Sequence, residues 1–139
     1  VGGRDNDLLG GEAGADVVLG NLGNDTVNGG DGADVVRGGQ GDDVVTGGAG
    51  DDWLSGDRGN DTITGGADAD RFRGGVDLGI DRILDFQQAE GDRVMIDPGT
   101  AYSVAQAGAD TVVSLSGGQM VLVGVQLSSL RSGWIFEGV

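Results

Sequence analysis

Eight aspartates recur at intervals of nine residues along the first half of the chain, and carboxylates at fixed spacing can do acid–base chemistry or bind a hard cation. They are Asp7, Asp16, Asp25, Asp34, Asp43, Asp52, Asp61 and Asp70. An acid–base couple needs two carboxylates in contrasting environments, one protonated and one ionised. Here the repeated Asp has the same local sequence in every repeat. This holds also for the adjacent pairs Asp42/Asp43 and Asp51/Asp52, which therefore do not provide contrasting environments. The pattern therefore favours a repeated cation ligand and disfavours catalysis by this chain.

Glycines accompany each aspartate at fixed offsets. Laid out from Gly2 in steps of nine, the sequence reads GGRDNDLLG, GEAGADVVL, GNLGNDTVN, GGDGADVVR, GGQGDDVVT, GGAGDDWLS, GDRGNDTIT and GGADADRFR. Position one is always Gly and position six always Asp, while Gly is frequent at positions two and four. Glycine enters left-handed backbone without a steric cost, so we expect tight loops that point carbonyl oxygens at one spot. The predicted carbonyl ligands are Gly14, Gly23, Gly32, Gly41, Gly50 and Gly59 at position four, and Gly29, Gly38, Gly47 and Gly56 at position one.

Position five separates the odd-numbered repeats from the even-numbered ones. The odd repeats carry Asn6, Asn24, Asp42 and Asn60, whereas the even repeats carry Ala15, Ala33, Asp51 and Ala69. We interpret Asn6, Asn24, Asp42, Asp51 and Asn60 as auxiliary oxygen donors. Because the odd repeats have more of these oxygens, we predict tighter cation binding on their side.

The elements that must hold these loops are very short strands. Position eight is always a large apolar residue, from Leu9 in the first repeat to Phe72 in the eighth, and Val, Leu, Ile and Thr are common around it. Such a triplet favours a strand with its central side chain facing inward. Loop and strand then alternate, and two repeats of nine make one turn of a coil. The loops of odd and even repeats would line opposite edges.

Apolar burial alone is too small to fold this region. One inward apolar residue in nine must offset the ordering entropy of a glycine-rich chain, and the excess of acidic residues adds repulsion. A bound dication supplies what is missing. Calcium accepts six to eight oxygens in flexible geometry, whereas magnesium demands a small octahedron and keeps its waters, so calcium is the predicted ion.

The overall composition excludes several other functions. The 139 residues include 23 Asp and Glu against 8 Lys and Arg, a net charge of −15, which disfavours nucleic acid and anionic membranes as partners. There is no Cys and no His, which excludes disulfides, zinc or haem ligation, and Ser/His/Asp or Cys/His catalysis within these residues. No apolar run approaches the length of a membrane span. The sequence opens at Val1 in mid-pattern, and we expect it to be a fragment of a longer protein.

The nonapeptide G-G-x-G-x-D-x-U-x over residues 2–73 resembles the repeat of the RTX calcium-binding proteins. The resemblance implies an all-β fold, a right-handed parallel β-roll in which loops of repeats n and n+2 share each ion. It implies about six calcium ions between complete loops, with further ions expected at the ends. Some positions depart from the consensus: Glu12, Asn21 and Asp57 replace Gly at position two, and Asp5 and Asp68 replace it at position four. Asn and Asp tolerate left-handed backbone, so Glu12 is the least suited.

Residues 74–139 are predicted to form a separate C-terminal capping region. Residues 74–97 resemble the segment after the repeats in serralysin-type proteases and in calcium-binding modules of alginate epimerases, and here Asp81, Ile83, Asp85 and Phe86 carry that resemblance. Asp81 and Asp85 are candidate ligands of a further ion, with a solvated carboxylate as the alternative. Residues 111–125 predict an antiparallel hairpin, Leu127 to Leu130 one helical turn, and Trp134 to Phe136 a last strand.

The resemblance also implies where the module works. In this family the region after the repeats carries an uncleaved signal for type I secretion, and the ending WIFEGV is compatible with one. The function predicted is a calcium-binding, C-terminal folding and secretion module of a bacterial extracellular protein, with calcium and the type I secretion machinery as partners. The alternative is a structural or adhesive module that binds extracellular glycan in its own right.

Overall fold

The computed structural model describes residues 1–76 and 79–138, and its regular structure is almost entirely β. Asp77, Leu78 and Val139, the last residue of the predicted secretion signal, lie outside the described residues. The strands form two sheets. The first contains, in spatial order, β1 (Leu8–Gly10), β3 (Thr26–Asp31), β5 (Val44–Ala49), β7 (Thr62–Ala67), β9 (Gly79–Ile83), β13 (Gly118–Leu122), β12 (Asp110–Leu115) and β11 (Tyr102–Ala107). The second contains β14 (Ile135–Glu137), β10 (Arg93–Ile96), β8 (Arg71–Gly74), β6 (Trp53–Arg58), β4 (Val35–Gln40) and β2 (Val17–Leu22).

Strands β1 to β10 alternate between the two sheets and form a parallel solenoid. Each strand pairs with the strand two steps away, and within the repeats the register advances by two nonapeptides: Val18 pairs with Val36, and Val36 with Leu54. Two repeats therefore make one turn, as the sequence predicts. The predicted parallel β-roll is confirmed.

The solenoid continues beyond the eighth repeat. Ile63 pairs with Ile83 and Phe72 pairs with Val94, so β9 and β10 complete a fifth turn that is longer than the turns made by the repeats. Strand β13 then pairs in parallel with β9, and β14 with β10. The roll and the C-terminal strands thus share both sheets.

The C-terminal strands include the predicted antiparallel element. β12 and β13 pair antiparallel around a turn at residues 116–117, and β11 pairs antiparallel with β12, which confirms the hairpin. Short 3-10 helices at Gln88–Glu90 and Leu127–Ser129 join the strands, the second at the predicted helical turn. No helix among the described residues is long and apolar enough to cross a membrane.

One hydrophobic core runs the length of the molecule. Its column is the position-eight residue of each coil, from Val18 to Phe72, continued by Ile83 and Val94. At the C-terminal end Phe86 lies between Phe72 and Trp134, with ring centroids 6.0 and 6.2 Å apart. The opposite end is open, since Leu9 is only half-buried and its neighbour Leu8 is exposed.

Candidate metal centre

The repeated aspartates form two ladders, one on each edge of the roll. We call Asp7, Asp25, Asp43 and Asp61 the odd ladder, and Asp16, Asp34, Asp52 and Asp70 the even ladder. In each rung one carboxylate oxygen accepts the backbone N–H of the aspartate two repeats earlier: Asp25 N donates to Asp43 Oδ1 at 2.7 Å, and Asp34 N to Asp52 Oδ1 at 2.9 Å. The bond occupies Oδ1 and leaves Oδ2 facing the position-one glycine of the same repeat.

Those second oxygens are buried without a partner. Among the described residues no hydrogen bond reaches the Oδ2 atoms of Asp16, Asp25, Asp34, Asp43, Asp52, Asp61 and Asp70. Six of these seven aspartates are at most 2% exposed, the exception being Asp16. An unpaired buried oxygen costs about 1–3 kcal/mol, and more when it is charged. Seven such atoms at equivalent places indicate positions built for a cation.

Position-one glycines mark the space in front of these oxygens. If Gly20 carried a Cβ, that atom would lie 2.5 Å from Asp25 Oδ2 and closer still to the carbonyl oxygen of Gly38. The same pair of oxygens, one from a carboxylate and one from the position-one carbonyl of the next coil, flanks six glycines. They are Gly2, Gly11, Gly20, Gly29, Gly38 and Gly47. Two oxygens that converge on one point suit calcium, whose oxygen ligands lie at about 2.3–2.6 Å.

The structure corrects the reason for glycine at position one. We expected left-handed backbone there, but positive φ values occur at positions two and four, for example Gly30 at 113° and Gly32 at 133°, and not at position one. Position one is glycine because a side chain would occupy the space between the two oxygens. At position two Glu12, Asn21 and Asp57 do adopt left-handed φ values of 80°, 85° and 72°.

The predicted carbonyl ligands divide into two groups. The carbonyls of Gly29, Gly38, Gly47 and Gly56 face the Oδ2 atoms as described, and so do those of Gly20 and Gly65, which the prediction omitted. Four position-four carbonyls lie against the next loop of their own edge, where a Cβ on the position-four glycine two repeats later would collide with each of them. They are the carbonyls of Gly14, Gly23, Gly32 and Gly41. The ligand role of the position-four set, which includes Gly50 and Gly59, stays a prediction.

Electrostatics disfavours the ionised form of Asp43, Asp52, Asp61 and Asp70 when no cation is bound. Burial raises the pKa of Asp43 to about 6, with further contributions from the neighbouring charges of Asp61 and Asp25. Burial likewise raises the pKa of Asp52 to about 6 and that of Asp70 to about 7. The pKa of Asp61 is also raised, mainly by burial. A dication beside Oδ2 would reverse this balance, because it stabilises the carboxylate.

Within residues 1–76 and 79–138, no group of three or more acidic side chains converges as a metal cluster. A cation at Oδ2 would therefore need carbonyl oxygens for most of its coordination. A mixed set of one or two carboxylates and several carbonyls is the donor set of calcium, and it lacks the nitrogen and sulfur donors of zinc.

The position-five side chains form a second ladder. Asn24 Oδ1 accepts the N–H of Asp42 at 2.9 Å, Asp42 Oδ1 that of Asn60 at 2.9 Å, and Asn6 Oδ1 that of Asn24 at 2.8 Å. Asn60 Oδ1 continues it to Ile80 N. On the even edge Asp51 makes one such bond, to Ala69 N at 3.0 Å. These side chains tie successive loops together, and their auxiliary ligand role stays a prediction.

Asp81 and Asp85 occupy different places. Asp81 is buried and continues the odd ladder, since its Oδ1 accepts the N–H of Asp61 at 3.3 Å. Asp85 accepts the N–H groups of Gly65 and Gly66 with its two oxygens, each at 2.9 Å. Asp85 therefore links the segment after β9 to strand β7. Neither Asp81 nor Asp85 is the solvated strand carboxylate considered as the alternative.

Asp92 is a ladder residue that was not predicted from the sequence. This residue is 2% exposed and continues the even ladder, because its Oδ1 accepts the N–H of Asp70 at 3.0 Å. The signal was present in the order Gly91, Asp92, Arg93, Val94, which repeats the Asp-x-apolar triplet of positions six to eight. Asp92 lies more than two nonapeptides after Asp70, so it falls outside the nine-residue period from which the ladder was predicted.

The chain folds as a parallel β-solenoid lined by two ladders of buried aspartates. The model of the RTX calcium-binding nonapeptide repeat matches residues 1–27, 10–45, 19–54, 28–63 and 46–77, and the chain belongs to this family. The resemblance seen in the sequence is confirmed.

Two solved structures are similar to the chain. One is the AlgE6R3 subunit of the mannuronan C5-epimerase from Azotobacter vinelandii, with a TM-score of 0.58, 26% identity, and coverage of 89% of this chain and 79% of that one. The other is the extracellular lipase LipA from Serratia marcescens, with a TM-score of 0.44 and 18% identity. The match covers 97% of this chain and 39% of the lipase. No curated protein sequence matches.

Proposed function

We propose that the chain is a calcium-binding module that folds on calcium outside the cell and serves as the C-terminal folding and type I secretion module of an extracellular protein. The observation that carries the calcium part is the row of buried Oδ2 atoms without partners among the described residues. The six glycines flanked by a carboxylate and a carbonyl oxygen support about six ions between complete loops. The module itself carries no catalysis in this proposal, and any activity belongs to the longer parent protein.

Residues 1–73 and 74–139 have distinct roles in this proposal, as roll and as capping and secretion region. Extracellular calcium modules have dissociation constants of about 10⁻⁴–10⁻³ M, so such a module stays unfolded in a cytosol poor in calcium. Binding energy then becomes folding energy on emergence. Membership of the RTX family supports this localisation, because such repeats are typical of proteins exported by type I secretion.

Circular dichroism in chelator and in calcium tests the central claim. We expect a largely disordered spectrum in chelator and a β spectrum as calcium is added. Magnesium at equal ionic strength is the control for charge screening and should give little of this change. A spectrum that does not depend on calcium would overturn the proposal.

A matched pair of variants tests the ladder. Asp43→Asn and Asp31→Asn each remove one negative charge, but Asp43 is buried with an Oδ2 that accepts no hydrogen bond, whereas Asp31 is exposed. Asp43→Asn should raise the calcium midpoint of folding at least about tenfold, which corresponds to about 1.4 kcal/mol. Asp31→Asn should change it little. Equal midpoints would contradict the assignment of Asp43.

The odd-edge preference is tested by exchanging position five between edges. Asn24→Ala removes one rung of the odd edge, and Ala33→Asn adds an oxygen to the even edge. We expect the first to weaken and the second to strengthen calcium binding in a titration by calorimetry. If neither variant moves the affinity, the two edges are equivalent.

A second candidate function is binding of an extracellular glycan. Its support is the similarity to the epimerase subunit together with a surface cavity of about 470 Å³ on the second sheet, lined by Arg37, Arg58 and Arg73. Arg37 and Arg73 are both paired with Asp57, which leaves Arg58 as the residue to test. Titration of the calcium-loaded chain with mannuronan, compared with Arg58→Gln, tests this function. If the titration with mannuronan releases no heat and the NMR signals of Arg58 do not shift, this second function is contradicted.

A further inference from the structure

Asn28 is the only asparagine of the chain that precedes a glycine. The others precede Asp or Leu, and they are Asn6, Asn21, Asn24 and Asn60. In an Asn–Gly pair the backbone nitrogen of the glycine can attack the side-chain amide carbon of the asparagine, because glycine has no side chain that hinders the approach. Residues 28 and 29 therefore form the bond of this chain that is chemically most prone to spontaneous deamidation.

The folded roll holds this bond in a conformation that does not react. Asn28 has an exposed side chain on β3, a central strand of the first sheet, and pairs with Gly10 on one side and Thr46 on the other. Its carbonyl oxygen accepts the N–H of Gly11 at 2.9 Å. A parallel strand has a ψ of about +115°, which turns the next backbone nitrogen away from the side-chain amide carbon. The reaction therefore requires that this part of β3 leaves the sheet.

The calcium-free chain lacks this protection. In the proposed function the roll is unfolded without calcium, so the backbone at Asn28 and Gly29 samples many conformations, including those in which the two atoms meet. A modification that occurs only in the opened chain proceeds at a rate set by the population of that state. Calcium at the loops thus controls the reactivity of a bond on the outer face of a strand.

We propose that the Asn28–Gly29 bond is a site of spontaneous covalent modification that calcium-induced folding protects. The nitrogen of Gly29 attacks Cγ of Asn28 and closes a succinimide ring, and the side-chain amide group takes up the proton of that nitrogen and leaves as ammonia. Water then opens the ring at either of its carbonyls, which gives aspartate or isoaspartate at residue 28. The inference rests on the proposed function, because it requires an unfolded calcium-free chain.

Isoaspartate at residue 28 would damage the even edge. In isoaspartate the main chain passes through the side-chain carbons, so one methylene is inserted directly before Gly29. Gly29 is buried, and a Cβ on it would meet Asp34 Oδ2. The carbonyl oxygen of Gly29 lies, together with Asp16 Oδ2, around the equivalent space at Gly11. A shift of Gly29 disturbs both places, whereas ordinary aspartate at residue 28 keeps the backbone and adds only an exposed charge.

Incubation of the chain with and without calcium tests the protected site. Wild type and Asn28→Thr are kept at pH 8 in chelator and in saturating calcium, and deamidation is measured at each asparagine by peptide mass spectrometry. Asn28→Thr is the matched control, because Thr46 and Thr64 occupy the same place in the next two coils. In the wild type we expect modification at residue 28 in chelator, at least about tenfold slower in calcium. The variant should show only the slower modification of the other asparagines.

A second measurement tests the consequence for calcium binding. The modified wild type is separated by chromatography, and the isoaspartyl form is compared with Asn28→Asp in a calcium titration followed by circular dichroism. Asn28→Asp should keep a midpoint close to that of the wild type. The isoaspartyl form should have a midpoint at least about tenfold higher.

The outcomes separate the two proposals. Equal rates with and without calcium, in a chain that circular dichroism shows to fold on calcium, overturn the protected site and leave the proposed function intact. Modification of Asn21 or Asn24 in preference to Asn28 does the same. An isoaspartyl form with the midpoint of the wild type overturns the damage to the even edge. A chain that is equally folded in chelator and in calcium overturns the proposed function itself.

Discussion

Glycine serves two physical purposes in one repeat, and they respond differently to substitution. Position-four glycines such as Gly41, with a φ of 138°, need left-handed backbone, so any side chain strains the loop. Position-one glycines have ordinary backbone and need empty space between two oxygens. A substitution at position one therefore tests the cation position with little backbone strain.

Gly38→Ala should impair calcium binding far more than Gly10→Ala. The new Cβ at residue 38 would meet the carbonyl oxygen of Gly56 at 2.8 Å and lie closer still to Asp43 Oδ2, whereas at residue 10 it would meet nothing within 4 Å. Neither glycine has positive φ, so the backbone cost of adding a methyl group is similar in the two variants. Overpacking of this kind costs about 1–3 kcal/mol. Calcium titrations followed by circular dichroism measure the two midpoints, and equal midpoints would show that the space has no role.

Protons and calcium should compete for the carboxylates of Asp43, Asp52 and Asp70. The pKa values of Asp43 and Asp52 are raised to about 6 and that of Asp70 to about 7 in the calcium-free fold. The folded chain then binds more protons than the unfolded chain between about pH 4 and pH 7. The free energy of unfolding of the calcium-free roll therefore falls as pH rises through this window.

Calcium binding has the opposite dependence, because the ion requires ionised carboxylates. The calcium midpoint should be higher at pH 5.5 than at pH 7.5 at constant ionic strength. In chelator, the β signal should be larger at pH 5 than at pH 7.5. Circular dichroism at the two pH values measures both, and an unchanged midpoint would contradict the competition.

At the scale of elements, the nine-residue period determines strand position, register and inward face, and these could all be predicted. Positions seven to nine of one repeat and one to three of the next form each full strand, such as β4, so the inward apolar residue recurs at position eight. The fifth turn could not be predicted in this way. β9 and β10 keep the triplet Asp-x-apolar but lie more than two nonapeptides beyond their partners β7 and β8, because extra residues enlarge the connections. The glycines at positions one and two are lost there, and with them the signal.

Arg73 connects the last repeat strand to the segment after β10. Its guanidinium donates to Asp97 Oδ1 at 2.9 Å and to Asp57 Oδ1 at 3.1 Å, and it also reaches Ser55 Oγ at 3.3 Å. All of the charged partners are largely shielded, with side-chain exposures of 14% for Asp57, 21% for Arg73 and 27% for Asp97. Hydrogen bonds to charged groups contribute about 1.5–3 kcal/mol when buried, and less with this exposure.

Arg73→Gln should lower the free energy of unfolding by about 1–2 kcal/mol in saturating calcium. The exposed Arg58→Gln removes the same charge from the same face and should cost much less. Denaturant unfolding monitored by circular dichroism gives both values. If Arg58→Gln is as damaging as Arg73→Gln, the loss reflects net charge and not the contacts with Asp57 and Asp97.

At the scale of the whole molecule, the acidic charge and the narrow apolar core together explain why folding should need a bound cation. The net charge of −15 opposes compaction of the calcium-free chain, and the apolar column contributes one large residue per half-turn. The six calcium ions proposed above would bring twelve positive charges, which would offset most of that excess. The composition predicted a cation requirement. The continuation of the two ladders by Asp81 and Asp92 follows only from the fold.

The shared core predicts that roll and C-terminal strands fold in one calcium-dependent step. Trp134 is 7% exposed and packs at the edge of Phe86, which in turn contacts Phe72 of the last repeat. Both sheets also run without interruption from the repeats into β13 and β14. When calcium is removed, the roll loses its stabilising ions and the aromatic cluster loses the Phe72 side of its contact surface. Trp134 should then become exposed together with the roll.

The variant Trp53→Phe leaves Trp134 as the single tryptophan and makes this measurable. We expect the blue shift of its fluorescence and the gain of β signal in circular dichroism to have the same calcium midpoint. Trp134→Phe, which keeps Trp53 on β6, is the matched reporter for the repeats and should give that midpoint as well. If Trp134 is already blue-shifted in chelator, the C-terminal strands form a core without calcium. They would then act as a preformed cap on which the roll folds, with two transitions in place of one.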